Sequence, residues 1–251
     1  MIDPLMLVNA THPLPLDWTP DELVDLWSQH PRHFLLPTRG ESLVRTAFEA
    51  ANELFADAKS AGLADFMLYS CYRDAARQAA LWEREPDTGL VARPGQSEHQ
   101  TGLAMDVTTL HGPIIEEQNA HYREWIAAHC WEHGLIVRYP EGRENVTHIP
   151  AEPWHLRFVG REAALEMREH DWVLEEWHEA RRPGNGAYSH CLNPTKGHSG
   201  RVFAPRCHLV GFGSERIRPS DITPPVSGAP CHLVGLCRSA EHARSGASPT
   251  K

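Results

Sequence analysis

The sequence predicts an α+β domain: a small, mainly antiparallel sheet packed by helices, followed by a C-terminal tail of different character. Three observations predict it. Short apolar runs of strand length, at 66–69, 103–108, 135–139 and 154–159, alternate with longer segments whose apolar residues recur near every 3.6 positions. Gly and Pro punctuate the joins between them. From Pro183 onward neither period survives.

A chain of 251 residues can bury one substantial core, or one core with an appendage. With 41% hydrophobic and 23% charged residues it has the composition of a soluble globular protein. No apolar run approaches the roughly 18 residues that a membrane span needs. The start, MIDPLMLVNATHPLP, has neither a basic n-region nor a useful apolar h-region, so as written it is not a signal peptide. Read literally the protein is cytoplasmic; the alternative is an exported protein whose true start lies upstream. Charge divides the chain: residues 1–182 carry 16 Lys+Arg against 30 Asp+Glu, whereas 183–251 carry 8 against 3. The acidic part repels phosphates, which argues against nucleic-acid binding, and the basic tail lacks interleaved aromatics. The domain boundary falls near Arg182-Pro183, giving a domain of 1–182 and a tail of 183–251; oligomeric state is left open.

In chain order, 1–40 reads as irregular with one short helix over 19–29, capped by Asp17 or Thr19 and with Pro20 in its first turn. Residues 41–61 form an amphipathic helix through Leu43, Phe48, Ala51, Leu54, Phe55 and Ala58, stopped by Gly62. A strand at 66–69 follows, then a helix capped by Asp74 and running to about Glu85, then a loop over 86–96. The strand at 103–108 puts Ala104 and Asp106 on the face opposite Leu103, Met105 and Val107. A helix at 116–133 ends at Gly134; strands at 135–139 and 154–159 follow, then a helix over 160–181. Nine Gly and eight Pro among 69 residues predict a disordered tail, unable to bury enough surface to offset its ordering entropy. The tail holds a near-duplicate, PRCHLVG at 205–211 and PCHLVG at 230–235, but no C-x-x-C spacing that would make it a metal knuckle. Of six Cys only Cys71 and Cys130 lie in the patterned region, so no disulfide framework is expected to hold it.

The chemistry concentrates in two stretches. SEHQTGLAMD, 97–106, sets His99 and Asp106 seven positions apart, with Gly95 and Gly102 permitting a tight loop into the strand. Asp106 is flanked by apolar residues and needs a partner, either a metal or an Arg. EPWH, 152–155, adds Glu152 and His155. Within a regular strand these two would face opposite ways, so Pro153 is expected to break the ladder and leave Glu152 in the turn before the strand. Two His and one Asp suit a borderline-soft divalent ion such as Zn²⁺ and leave one position for water, while a nearby Glu is what metal-assisted hydrolysis needs. Taken singly, each has a plainer reading: a surface pair, an exposed Glu, a core His beside Trp154. Arg73, between a strand and a helix, either projects into a cleft toward a carboxylate or forms a structural ion pair. Gln78, five residues on, is placed to reach the same ligand.

Together SCYRDAARQAALW, PGQSEHQTGLAMDV, GLIVRYPEG and EPWHLRFVG, in this order, resemble the VanY-like D-alanyl-D-alanine carboxypeptidases. These are zinc peptidases of a group that includes the VanX-like dipeptidases and the hedgehog amino-terminal fold. The resemblance spans about residues 7–162, including LVNATHPLP near the start, and leaves the tail without a counterpart. It implies that His99, Asp106 and His155 bind Zn²⁺ and that Glu152 is the general base. It further implies that Arg73 and Gln78 hold the substrate and that Ser97 and Tyr139 line the pocket. Two departures stand out: Cys71 where the family usually has Gly, and Thr147-His148-Ile149-Pro150-Ala151 before Glu152. The expected activity is removal of a terminal D-alanine from peptidoglycan stem peptides or their precursors. The alternatives are a D-Ala-D-Ala dipeptidase, an endopeptidase, and a catalytically silent zinc-stabilised module that binds cell wall.

Overall fold

A computed structural model describes residues 2–86 and 91–182. The expectations for the tail, its disorder and its paired Cys-His segments, lie outside the described residues. The elements run β1 (Leu23–Asp25), β2 (Ser42–Val44), α1 (Arg45–Ser60), β3 (Phe66–Ser70), α2 (Ala75–Arg84), β4 (Ala104–Thr109), α3 (Ala120–His129), β5 (Leu135–Tyr139), α4 (Glu144–Thr147), β6 (Glu152–Phe158), α5 (Arg161–His170) and α6 (Leu174–Ala180). The fold is therefore α+β. Its main sheet has the order β3-β4-β6-β5 with every neighbour antiparallel, and β1 and β2 form a separate antiparallel ribbon.

Strand parity decides which face carries chemistry. Leu68 pairs with Val107 and Met105 with Leu156, and all four belong to one apolar core with Ala47, Ala51, Leu54 and Phe55 of α1. Aromatic contacts tie that core across elements: Phe55 meets Phe66 of β3 at 5.0 Å, and Phe66 meets Tyr122 of α3 edge-on at 5.0 Å. Residues of the opposite parity, Asp106 paired with His155, are left for the other face. A second apolar cluster, Val159, Ala163, Ala164, Met167 and Leu174, packs α5 and α6 against Leu5, Leu7 and Ile136.

Several expected boundaries shift for local reasons. Residues 19–29 form no α-helix. Leu23 pairs with Val44 instead, and the Asp25 carboxylate accepts from the Trp27 N–H and the Ser28 hydroxyl, closing a 3-10 turn at Leu26–Ser28. The same ribbon takes Ser42–Val44 from the expected helix at 41–61, which starts at Arg45. The helix at 116–133 tightens into 3-10 turns at both ends, leaving ten α-helical residues. The helix at 160–181 breaks at Asp171, whose φ of +53° ends α5 in the left-handed region. No helix among the described residues is long and apolar enough to cross a membrane. Cys71 and Cys130 are buried free thiols.

Candidate metal centre

The first donor loop depends on two glycines. Gly95 has φ +83°, and a Cβ there would sit 2.6 Å from the Leu14 carbonyl oxygen. Gly102 has φ +69°, and a Cβ there would lie 2.9 Å from Leu23 Cδ2 and 3.1 Å from Val44 Cγ2, against the β1–β2 ribbon. Between them a 3-10 turn, Glu98–Thr101, delivers His99 buried beside the end of β3. His99 Nδ1 lies 2.7 Å from the Cys71 carbonyl, which can only accept, so this nitrogen carries the proton. Its Nε2 then faces Asp106 Oδ2 at 3.3 Å. The peptide that carries this carbonyl is held at its other end, where the Tyr72 N–H donates to the Ser42 carbonyl at 2.9 Å, and the Cys71 N–H donates to Glu41 Oε2 at 2.7 Å.

The second loop arrives through β6. His155 is the cross-strand partner of Asp106, and its Nδ1 lies 3.2 Å from Asp106 Oδ1. Donor atoms of His99, Asp106 and His155 all lie within 4.8 Å of one another, and all three residues are buried. In a tetrahedral zinc site with bonds of about 2.0–2.1 Å, neighbouring donors stand roughly 3.4 Å apart. Each imidazole stands near that spacing from one Asp106 oxygen, His99 from Oδ2 and His155 from Oδ1; Oδ1 has no hydrogen-bond partner among the described residues, and the donor types are those zinc accepts. The residues fit the ion.

Glu152 reaches the centre by a different route from the expected turn. It is the first residue of β6, paired with Tyr139, while Leu156 pairs with Val137. Three residues of β6 therefore oppose Arg138 alone, and this bulge lets Glu152 and His155 share a side although they are three apart. Glu152 Oε2 lies 3.6 Å from His155 Nδ1. Burial pushes the Glu152 carboxyl up to about 7; the negative Asp106 and Glu98 add to the rise, and His155 and Arg73 oppose it. Burial pulls the His155 imidazole down, but the neighbouring carboxylates of Asp106 and Glu98 outweigh it and lift the group to about 9. Burial lowers His99. Asp106 stays well below the carboxylate range, because the two imidazoles outweigh burial.

Arg73 is fixed by its backbone, whose N–H donates to the His99 carbonyl at 3.1 Å. Its guanidinium hydrogen-bonds only two hydroxyls among the described residues, Ser70 at 3.4 Å and Ser97 at 3.5 Å, and its Nε is buried and unpartnered. Gln78 is buried on α2; its amide nitrogen donates to the Ala92 carbonyl, and its Oε1 is left unpartnered. The free group of Gln78 is thus an acceptor, which suits a substrate N–H rather than the carboxylate expected of Arg73's ligand. The Tyr139 ring lies tilted, 5.1 Å from that of His155. Sequence reasoning assigned no role to Glu98, Arg138, Arg157 or Tyr69. The signals were an Arg inside each of two otherwise apolar strand runs, and a Tyr at the register shift between Leu68 and Ser70 opposite Asp106. Burial, then the charges of Asp106 and Glu152, push the Tyr69 phenol up, which marks it as a neighbour of the centre.

The sequence model of the D-alanyl-D-alanine carboxypeptidase family, VanY, matches residues 40–161. The chain is 33% identical over 188 residues to the bifunctional D-Ala-D-Ala dipeptidase and D-Ala-D-Ala carboxypeptidase VanXYC of Enterococcus gallinarum, covering 70% of this chain and 93% of that one. The chain belongs to the VanY family. That membership places it among zinc metallopeptidases of the D-alanyl-D-alanine carboxypeptidase type. A VanY-family relative from Enterococcus faecium, a D-alanyl-D-alanine carboxypeptidase, is 33% identical over 178 residues; the match covers 69% of this chain and 56% of that longer protein. Among solved structures of VanY type, the D,D-pentapeptidase VanY in complex with Zn(II) superposes with a TM-score of 0.57 at 28% identity, covering 70% of this chain and 99% of that one. The LdcB LD-carboxypeptidase superposes with a TM-score of 0.61 at 32% identity, covering 69% and 84%.

Proposed function

We propose that this VanY-family protein is a zinc-dependent carboxypeptidase that removes the terminal D-alanine from peptidoglycan stem peptides or their precursors. In this reading His99, Asp106 and His155 hold the ion and Glu152 is the general base. One observation carries it: a carboxylate pushed up to about 7 stands 3.6 Å from the nitrogen that completes a buried His-Asp-His set.

Zinc, when bound, supplies a Lewis acid that acidifies water and polarises the scissile carbonyl. The chain's own groups do the rest. Glu152 takes a proton from the attacking water and delivers it to the leaving amine, and a carboxyl near 7 is poised for both transfers. Arg73, held between two hydroxyls and free of any paired carboxylate among the described residues, takes the substrate's terminal carboxylate. The Ser97 hydroxyl beside it adds a donor. Gln78 Oε1 accepts from a backbone N–H of the peptide, and Tyr139 forms the wall behind His155.

A second reading, cleavage after an L-centre, is favoured by the likeness to the LdcB LD-carboxypeptidase. Three substrates separate the choices: a pentapeptide stem ending in D-Ala-D-Ala, a tetrapeptide stem ending in L-Lys-D-Ala, and free D-Ala-D-Ala. The expected result is fastest D-alanine release from the pentapeptide, abolished by a chelator and restored by zinc. Release only from the tetrapeptide would replace the D,D assignment with an L,D one. A protein holding one zinc per chain and cleaving none of the three would be a silent binding module.

A further inference from the structure

We propose that Glu98 is the positioning carboxylate of the metal centre: it receives the His155 Nε2 proton and is itself fixed by Arg138 and Arg157. This rests on the reading of His99, Asp106 and His155 as zinc donors, and it concerns a residue that touches neither ion nor substrate.

Both ring nitrogens of His155 face carboxylates. Nδ1 lies 3.2 Å from Asp106 Oδ1 on the donor side, and Nε2 lies 3.7 Å from Glu98 Oε2 on the far side. Nε2 and Glu98 Oε2 are each buried and without a hydrogen-bond partner among the described residues. One is a potential donor and the other an acceptor, so each is what the other lacks. The remaining 0.5–1 Å or so to hydrogen-bond length is within the reach of a small ring rotation.

The arrangement around Glu98 explains why Oε2 is free. Its other oxygen, Oε1, accepts from Arg138 Nε at 2.8 Å and lies 2.9 Å from Arg157 Nη1, with all three side chains fully buried. Arg138 is gripped from behind by Glu175 of α6 through a two-pronged pair at 2.8 and 2.6 Å. Arg157 Nη2 donates to the carbonyls of Pro4 and Met6 at 3.0 and 2.8 Å. Arg138 therefore hydrogen-bonds one oxygen of Glu98, with the Arg157 guanidinium in ion-pair contact beside it, and the other oxygen is left toward His155. Two guanidinium groups and two carboxylates also balance in charge, which lets the cluster stay ionised away from water.

The two ligand imidazoles then carry complementary protons. His99 holds its proton on Nδ1 against the Cys71 carbonyl and offers Nε2. His155 holds its proton on Nε2 against Glu98 and offers Nδ1. A carboxylate acceptor also makes the ring a more basic ligand than a carbonyl does.

The first test uses wild-type protein loaded with zinc. Long-range nitrogen–proton correlations of the imidazole rings should show His155 protonated at Nε2, with that proton protected from exchange; a proton on Nδ1 would overturn the proposal. The second test is Glu98→Gln. Its side-chain oxygen must still accept from Arg138 and face the Arg157 cation, so its NH₂ group would face Nε2 and drive the ring proton to Nδ1, off the donor position. Zinc affinity, read by competition with a chromogenic chelator on folded apo-protein, should fall about 10–100-fold. The control is Glu176→Gln, which weakens α6 by releasing Arg143 and the Val173 N–H without touching Arg138. It should lower Tm and leave zinc affinity within about twofold. Equal losses of affinity in the two variants would mean general loosening and would sink the proposal, as would wild-type affinity in Glu98→Gln. If Glu98→Gln does not fold, the wild-type ring proton decides alone. Wild-type protein that binds no zinc at all would instead remove the proposed function, so the two failures are distinguishable.

Discussion

Two glutamates flank the same histidine and meet opposite electrostatic fates. Glu98 Oε2 lies 3.7 Å from His155 Nε2, and Glu152 Oε2 lies 3.6 Å from His155 Nδ1. Burial raises both carboxyls. At Glu98 the charges of Arg138 and Arg157 outweigh it and hold the group well below the usual carboxylate range. At Glu152 no arginine is paired among the described residues, the neighbouring carboxylates add to burial, and the group is pushed up to about 7. The difference teaches how one residue type is allotted two jobs. Where charge is compensated, the carboxylate becomes fixed scaffolding; where it is not, it is poised to exchange protons.

Removing the compensation should break the contrast most severely. Arg157→Met strips Glu98 of one partner inside the core and frees the Pro4 and Met6 carbonyls. Leaving half of a buried ion pair should cost about 3–5 kcal/mol, read as a fall in the urea midpoint of unfolding. A variant within about 1 kcal/mol of wild type would mean that Arg138 alone compensates Glu98. The next largest effect is on the opposite glutamate. Glu152→Gln should keep zinc content and Tm near wild type and reduce kcat about 10²–10⁴-fold. Near-wild-type turnover in a zinc-loaded variant would remove Glu152 from the proton transfers.

The pH profile sharpens the same contrast. A general base works when deprotonated, so activity should rise with pH through the Glu152 carboxyl and level off above it. The group stands at about 7 in the chain by itself, and a dication beside it favours the charged form, so the acid limb should fall at or below pH 7. Below the limb kcat/KM should drop about tenfold per pH unit. A flat profile from about pH 5 to about pH 7.5 would say that no group like Glu152 gates the reaction.

How much of this was legible in the sequence differs between the two glutamates. Glu152 stood three residues before a His, a spacing that sets the two on opposite faces of a regular strand; Pro153 was expected to resolve this by leaving Glu152 in a turn, whereas the bulge that does so depends on β5 and left no local sign. His99, Asp106 and His155 were readable because Gly102 announces a tight loop and because an Asp amid apolar strand residues demands a partner. Glu98 was not readable. In the sequence it is one polar residue in a polar loop, and its partners lie 40 and 59 positions on, at residues 138 and 157. The short apolar runs of β3 and β5 declared themselves, whereas the three-residue β1 has no period and exists only because β2 pairs with it. Local pattern reveals elements that bury one face; it is blind to those specified by a distant charge or a distant edge.

Tyr139 offers the finest probe, because it feels the charge of both glutamates. It pairs across the sheet with Glu152, packs against His155, and has the Arg138 guanidinium 4.7 Å above its ring. Burial, then the charge of Glu98, pushes its phenol up, so it stays neutral wherever the enzyme works and adds no charge beside the two carboxylates. Its hydroxyl makes no hydrogen bond to the described residues, so Tyr139→Phe keeps the spacer and should change stability by about 1 kcal/mol or less. Zinc affinity and the acid limb should both stay put, since neither depends on the oxygen. If KM for the pentapeptide rises while kcat holds, the hydroxyl is a substrate contact. If instead the limb moves, the phenol sets the field at Glu152, and the contrast between the glutamates owes less to the arginines than to the ring beside them.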